Sequence, residues 1–328
     1  MAEVINGILI REVETKNIMT KSSLPVGGYS VNPYVGCTHA CKYCYASFMK
    51  RFTGHTEEWG TFLDVKHWPE IKNPKKYAGQ RVVIGSVTDG YNPQEEQFRN
   101  TRKLLEQLIG SDADILICTK SDLVVRDIDL LKKLGRVTVS WSINALDENF
   151  KNDMDSAPSI ERRIAAMKQV YDAGIRTVCF VSPVFPGITD FEAIFERVKN
   201  QCDLFWLENL NLRGGFKKTI MDYISGKYPD LVPLYDEIAG SQPAAVRSGG
   251  QRLLPLRAGG LLTLRQRRHE QALRSPYAGG IPELDAHRRA ESVTRPPHTN
   301  GGSTDTWHTL NLTAYASSIH PQHARWTT

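Results

Sequence analysis

The sequence has no apolar run approaching the roughly 18–20 residues that cross a bilayer. Its opening, MAEVINGILIREVETKN, carries acids and lacks the apolar stretch of a signal peptide. A cytoplasmic protein with no membrane association is therefore expected. An evenly spaced cysteine framework is also missing. Of six cysteines, Cys37, Cys41 and Cys44 crowd into eight residues, whereas Cys118, Cys179 and Cys202 stand singly in apolar stretches. That distribution excludes a small disulfide-stapled secreted domain and points to a reducing compartment and a metal site. Basic surplus is lacking from most of the chain. Residues 1–238 hold 30 Lys plus Arg against 31 Asp plus Glu, and residues 239–328 hold 11 Arg, no Lys and five acids. The net charge of +5 thus belongs to the tail, and overall basicity gives only weak support to nucleic-acid binding.

What remains is a globular composition, 41% hydrophobic and 23% charged over 328 residues. From about residue 30, short β-branched runs alternate with amphipathic segments. RVVIGSV (81–87), DILICT (114–119), RVTVSWSI (136–143), IRTVCFVSPV (175–184) and DLFWLENL (203–210) read as strands. Residues 94–110, 123–135, 159–174 and 188–200 read as the helices between them. With SVNPYVG (30–36) as the first strand, six strand–helix units result. Such alternation implies parallel strands with right-handed crossovers. The fold class is α/β, either an open (β/α)6 partial TIM barrel or a doubly wound sheet. Both put functional residues at the C-terminal ends of strands. The expected division is a lead-in over 1–29, a core domain over 30–238 and an atypical tail over 239–328.

The segment NPYVGCTHACKYCYA (32–46) spaces its thiols Cys-x3-Cys-x2-Cys. Soft thiolates suit iron–sulfur clusters. Three ligands where a four-iron cluster takes four leave one iron open for a substrate or cofactor. Zinc, with His39 or His55 as fourth ligand, is the other metal reading, though its usual second cysteine pair is absent.

With Tyr43 before the third cysteine, this pattern resembles the signature of the radical SAM superfamily. The segments NPYVGC, IGSVTDGYNPQE, ICTKSDLVVRDIDLL, VSWSIN and AGIRTVCFVSPVFPGITD stand in the order found in the spore photoproduct lyase, or DNA repair photolyase-like, group. The radical SAM mobile pair proteins are the members most similar, over residues 25–238. The resemblance implies a 4Fe-4S cluster on Cys37, Cys41 and Cys44, with S-adenosyl-L-methionine chelating the open iron and being cleaved to a 5′-deoxyadenosyl radical. It places Tyr43 beside the adenine, Lys120 on the methionyl carboxylate, and Ser140 or, by preference, Ser142 in hydrogen bonds to the cofactor. It also implies a flavodoxin- or ferredoxin-like reductant and a second radical SAM protein as partner.

Read from sequence alone, Lys120 is equally a solvated loop lysine. Asn92 suits an Asx turn with Gly90 and Pro93, and the role of Asp89 stays open. Photoproduct lyases quench their product radical with a cysteine in the loop after the second strand. Val87 stands at the loosely matching place, which counts against lesion repair. The expectation is hydrogen abstraction from an unidentified substrate. The alternatives are photoproduct repair and a non-catalytic metal- and nucleic-acid-binding protein. The lysine-free tail is open to three readings: a disordered basic arm, an added helix, or a shifted reading frame.

Overall fold

A computed structural model describes residues 2–22 and 27–241. The tail from residue 242 onward, with all three of its readings, lies outside the described residues. In chain order the elements are β1 (Ala2–Ile5), β2 (Ile8–Glu14), β3 (Thr20–Lys21), β4 (Tyr29–Val31), β5 (Tyr34–Val35), α1 (Lys50–Thr53), β6 (Phe62–His67), β7 (Arg81–Ile84), α2 (Glu95–Phe98), α3 (Asn100–Leu108), β8 (Asp114–Thr119), α4 (Ile128–Leu131), β9 (Arg136–Ser142), α5 (Glu148–Met154), α6 (Ile160–Asp172), β10 (Arg176–Val184), α7 (Phe191–Val198), β11 (Leu204–Asn209), α8 (Lys217–Lys227) and α9 (Val232–Ser241).

Six strands, β4 and β7 to β11, are parallel and lie side by side in chain order. The order never reverses, which excludes the doubly wound alternative. The sheet stays open, with β11 at one edge and the short antiparallel β3 at the other. The expected open (β/α)6 architecture is therefore present. Its two faces bury different residues, as the pleat demands. Val82, Ile84, Ile115, Ile117, Val139, Trp141, Val181 and Phe205 pack under the helices with Leu104, Ile164, Met167 and Ile194. Val83, Leu116, Val178 and Trp206 form a smaller inner cluster with Cys118 and Phe180. By the same alternation Lys120, Ser140, Ser142, Ser182 and Glu208 follow the inner register toward the strand ends.

The segment SVNPYVG is not one strand. It splits at Asn32–Pro33 into β4 in the large sheet and β5 in a second sheet, ordered β1-β2-β6-β5. Proline has no N–H to continue a ladder, and the Pro33 carbonyl instead accepts from Lys66 N at 3.1 Å. The lead-in builds part of this second sheet. β1 and β2 form a hairpin whose Asn6 and Gly7 have φ of 51° and 78°, the positive values that a two-residue hairpin turn needs. Strand β7 ends earlier than expected because Gly85 turns at φ 87°. The long helix expected over 94–110 breaks at Arg99, φ 55°. There the Glu95 carboxylate turns back to accept from Thr101 N and Arg102 N at 2.9 and 3.2 Å, capping α3.

Candidate functional site

The cysteine loop hangs from β5. Gly36 has φ 88°, and a Cβ there would lie 2.4 Å from the Phe62 carbonyl oxygen. Only glycine fits the step that aims Cys37 at the strand ends. The loop then coils on itself, with Ala40 N to Cys37 O at 3.2 Å and Cys44 N to Cys41 O at 3.1 Å. It is pinned to the end of α5 by Lys42 N to Met154 O at 2.9 Å and Ser156 N to His39 O at 2.8 Å. Cys37 is buried, and Cys41 and Cys44 are half-buried; all three are free thiols. Burial pushes each thiol up, Cys37 far above its ordinary value and Cys41 to about 12. Such thiols become thiolates only against a strong positive partner, as metal binding supplies.

Neither histidine joins them. His39 Nε2 lies 3.1 Å from Asp89 Oδ2. His55 lies between Glu57, at 2.8 Å, and Asp64, at 3.1 Å. Among the described residues, no three His, Cys, Asp or Glu side chains converge on one ion.

Tyr43 is buried behind the loop. Its hydroxyl donates to Asp155 Oδ2 at 3.1 Å, and its ring packs edge-on to Phe185 with centroids 5.6 Å apart. The other Asp155 oxygen accepts from Arg163 Nη2 at 2.7 Å. Arg163, fully buried on α6, also donates to the Ser142 carbonyl at 3.2 Å and the Pro158 carbonyl at 2.8 Å. One guanidinium thereby fixes both the tyrosine and the end of β9. Lys120 Nζ sits 5.6 Å over the Tyr43 ring. Burial pulls this ammonium down, but Cys41 and Asp155 outweigh it and hold Lys120 above its ordinary value. On the adjoining strand Ser140 is 1% exposed, and its Oγ has no hydrogen-bond partner in the protein. A buried unpaired hydroxyl is costly unless a ligand completes it. Ser142 is half-buried beside it, and Asn144 Nδ2 is a second buried orphan. Asn92 forms the expected turn, with Nδ2 to Asp89 O at 2.9 Å and Oδ1 accepting from Gln94 N at 3.1 Å. Val87 lies in that loop with its N–H on Asn32 Oδ1 at 3.0 Å.

Sequence reasoning overlooked three residues. Arg163 and Asp155 escaped it although Arg163 falls on the apolar face set by Ile160, Ile164 and Met167, where a charge signals a buried partner. The third is Glu208, whose carboxylate accepts from the Ser182 hydroxyl on the inner side of β10 and β11. Its signal was a lone acid at the C-terminal end of a barrel strand. Burial pushes the Glu208 carboxyl up to about 7, against Ser182 and Lys120, which pull it down. Between the ordinary 4.5 and about 7 the folded chain therefore holds a proton that the unfolded chain has lost. Stability from this group falls as pH rises through that window and is flat above it. Melting curves of the wild type and Glu208→Gln should then diverge from pH 4.5 to 7, with the variant gaining relative stability. A pH-independent difference would remove the buried acid from this account.

A six-stranded open parallel sheet thus gathers a thiol loop, a lysine and an unpaired serine at its C-terminal ends. Residues 31–198, about half of the chain, match the radical SAM superfamily, and the chain belongs to it. It is 36% identical over 225 residues to an uncharacterized protein of Methanocaldococcus jannaschii, spanning 68% of this chain and 85% of that one. An uncharacterized protein of Mycobacterium tuberculosis is 27% identical over 262 residues, 72% of this chain and 75% of its own. A radical SAM Nα-GlyT isomerase of Pseudomonas phage M6 is 26% identical over 180 residues, 53% of this chain and 36% of its own. Among solved structures, a spore photoproduct lyase variant with bound AdoMet and dinucleoside spore photoproduct superposes with a TM-score of 0.52. It is 16% identical, over 81% of this chain and 80% of that one, and shows the shared fold. The cofactors of this superfamily, a 4Fe-4S cluster and S-adenosyl-L-methionine, suit a site of three soft thiols, a half-buried lysine and an unsatisfied hydroxyl. No helix among the described residues is long and apolar enough to cross a membrane.

Proposed function

We propose that this protein cleaves S-adenosyl-L-methionine reductively and uses the product to abstract hydrogen from an organic substrate. Cys37, Cys41 and Cys44 would each hold one iron of a 4Fe-4S cluster. When bound, the pair of cofactors supplies one-electron cleavage of a carbon–sulfur bond and, from it, a 5′-deoxyadenosyl radical. The chain's own residues bind, orient and seal. Lys120 offers its ammonium to the methionyl carboxylate. Ser140 Oγ and the Ser142 hydroxyl offer hydrogen bonds to the nucleoside. Tyr43 closes the floor beneath Lys120, and Arg163, through Asp155, keeps it there. Ser182 and Glu208 face the substrate from the far strands. The partners we propose are a flavodoxin- or ferredoxin-like reductant and a second radical SAM protein.

The observation that carries this reading is the Lys120 ammonium above the Tyr43 ring of the thiol loop, at the end of a strand that pairs with the one carrying the orphan Ser140 hydroxyl. Anaerobic reconstitution, followed by iron and sulfide analysis and a dithionite-driven assay for 5′-deoxyadenosine, tests it. About four irons and four sulfides per chain with 5′-deoxyadenosine formed support it. Zinc in place of iron, or a loaded cluster that never yields 5′-deoxyadenosine, would sink it.

A further inference from the structure

Asp89 sits on the loop after β7, 6% exposed, and its carboxylate accepts four hydrogen bonds from three segments of chain. Oδ2 takes His39 Nε2 at 3.1 Å and Lys120 N at 2.7 Å. Oδ1 takes Tyr91 N at 2.9 Å and Thr119 Oγ1 at 2.8 Å. Four donors exhaust a carboxylate's lone pairs, so Asp89 has nothing left for a ligand. Burial works against its charge, but His39 and the backbone donors outweigh burial and hold the carboxyl below its usual range.

The division between the two oxygens is informative. Oδ1 closes the local turn and reaches the end of β8. Oδ2 joins two segments distant in sequence. One is the cysteine loop, through His39, which stands between Cys37 and Cys41 and is itself held by Ser156 N. The other is the backbone of Lys120. A single oxygen thus fixes the thiol loop relative to the lysine that we assign to the cofactor. We propose that Asp89 is a positioning residue that sets the spacing between the cluster loop and Lys120, so that cluster geometry and cofactor affinity depend on one carboxylate. This rests on the cofactor roles assigned above to the cysteines and Lys120.

Asp89→Asn is the discriminating substitution. With the amide nitrogen in place of Oδ2, donor would face donor at Lys120 N, and the His39 bridge would lose its acceptor. With the amide flipped, the Tyr91 turn breaks instead. Thr119→Val is the control, because it removes one Asp89 bond and disturbs the same buried cluster without cutting the bridge. The measurements are made on anaerobically reconstituted protein: iron and sulfide content, S-adenosyl-L-methionine dissociation constant on the oxidised cluster, and the paramagnetic resonance spectrum after reduction with and without S-adenosyl-L-methionine.

Asp89→Asn is expected to load iron as the wild type does, to bind S-adenosyl-L-methionine about 10- to 100-fold more weakly, the usual cost of losing an outer-shell partner, and to give a heterogeneous spectrum that the cofactor barely alters. Thr119→Val is expected to melt earlier but keep the wild-type dissociation constant and spectral change. An Asp89→Asn protein with affinity and spectrum like the wild type overturns the proposal. So does one that loads no cluster, since Asp89 would then only support the fold, and so does equal loss of affinity in Thr119→Val. A wild type that takes up no iron, or whose cluster does not respond to S-adenosyl-L-methionine, defeats the functional reading itself and is recognised before any variant is compared.

Discussion

Cys41→Ala, reconstituted beside the wild type, is expected to lose 5′-deoxyadenosine formation by more than about 100-fold and to retain far less iron and sulfide. Outer-shell substitutions at metal sites already cost about 10- to 100-fold, and a thiolate ligand contributes more than its supports do. No other thiol among the described residues can take its place. Cys118 belongs to the inner cluster with Trp206 and Phe180, while Cys179 and Cys202 pack under the helices. Alanine also leaves the loop's own hydrogen bonds untouched, because Cys41 contributes its backbone carbonyl to Cys44 N and that survives. The variant should consequently fold, with a far-ultraviolet spectrum like the wild type. Wild-type amounts of 5′-deoxyadenosine from Cys41→Ala would remove the loop from the chemistry.

Asp155→Ala should be the most destabilising substitution outside the hydrophobic core. Asp155 and Arg163 have side chains with no measurable exposure and meet at 2.7 Å. Removing the carboxylate strands a guanidinium in the interior, at a cost of about 3–5 kcal/mol. For a domain of this size that is a fall of roughly 6–20 °C in melting temperature. The Tyr43 hydroxyl and Ala157 N lose their acceptor too. The double variant Asp155→Leu with Arg163→Met should recover part of the loss, since it removes the stranded charge but leaves the Tyr43 hydroxyl, Ala157 N and the Ser142 and Pro158 carbonyls without those partners. Thermal unfolding of the wild type, both single variants and the double variant in one cluster state completes the cycle. A loss below about 1 kcal/mol for Asp155→Ala would show that solvent reaches Arg163.

The parts legible in sequence were those with local causes. Strand–helix alternation announced the parallel sheet, because runs such as RVVI and DILICT are buried on both faces and read as apolar throughout. The cysteine spacing announced the loop. The Asn6–Gly7 hairpin was equally local and was passed over. Other features depend on partners far along the chain. The break at Arg99 arises because Glu95 caps α3 and is held by Arg126, 31 residues on. Nothing in QEEQFRNTRKLLEQLIG reveals that pairing. Tyr43 meets Asp155 across 112 positions, and Ser182 meets Glu208 across 26. The place of Arg163 on an apolar helix face signalled a buried partner, but nothing local to that helix named Asp155 as its counter-charge. Pro33 was visible, but its effect of sending the next two residues to another sheet required β6 to be recognised as a strand.

That detour through β5 has a consequence for durability. The thiol loop is suspended from a strand paired at only two positions, Tyr34 with Val65 and Val35 with Asp64. Short ladders open at a lower free energy than the domain as a whole. Loss of iron held here would need fraying of the small sheet together with release of the loop's bonds to Met154, Ser156 and Asp89, and not global melting. The lifetime of the metal and the melting temperature of the protein become separate quantities. Pairing around Tyr34 and the loop's ties to α5 and Asp89 set the first, and the large sheet under its helices sets the second.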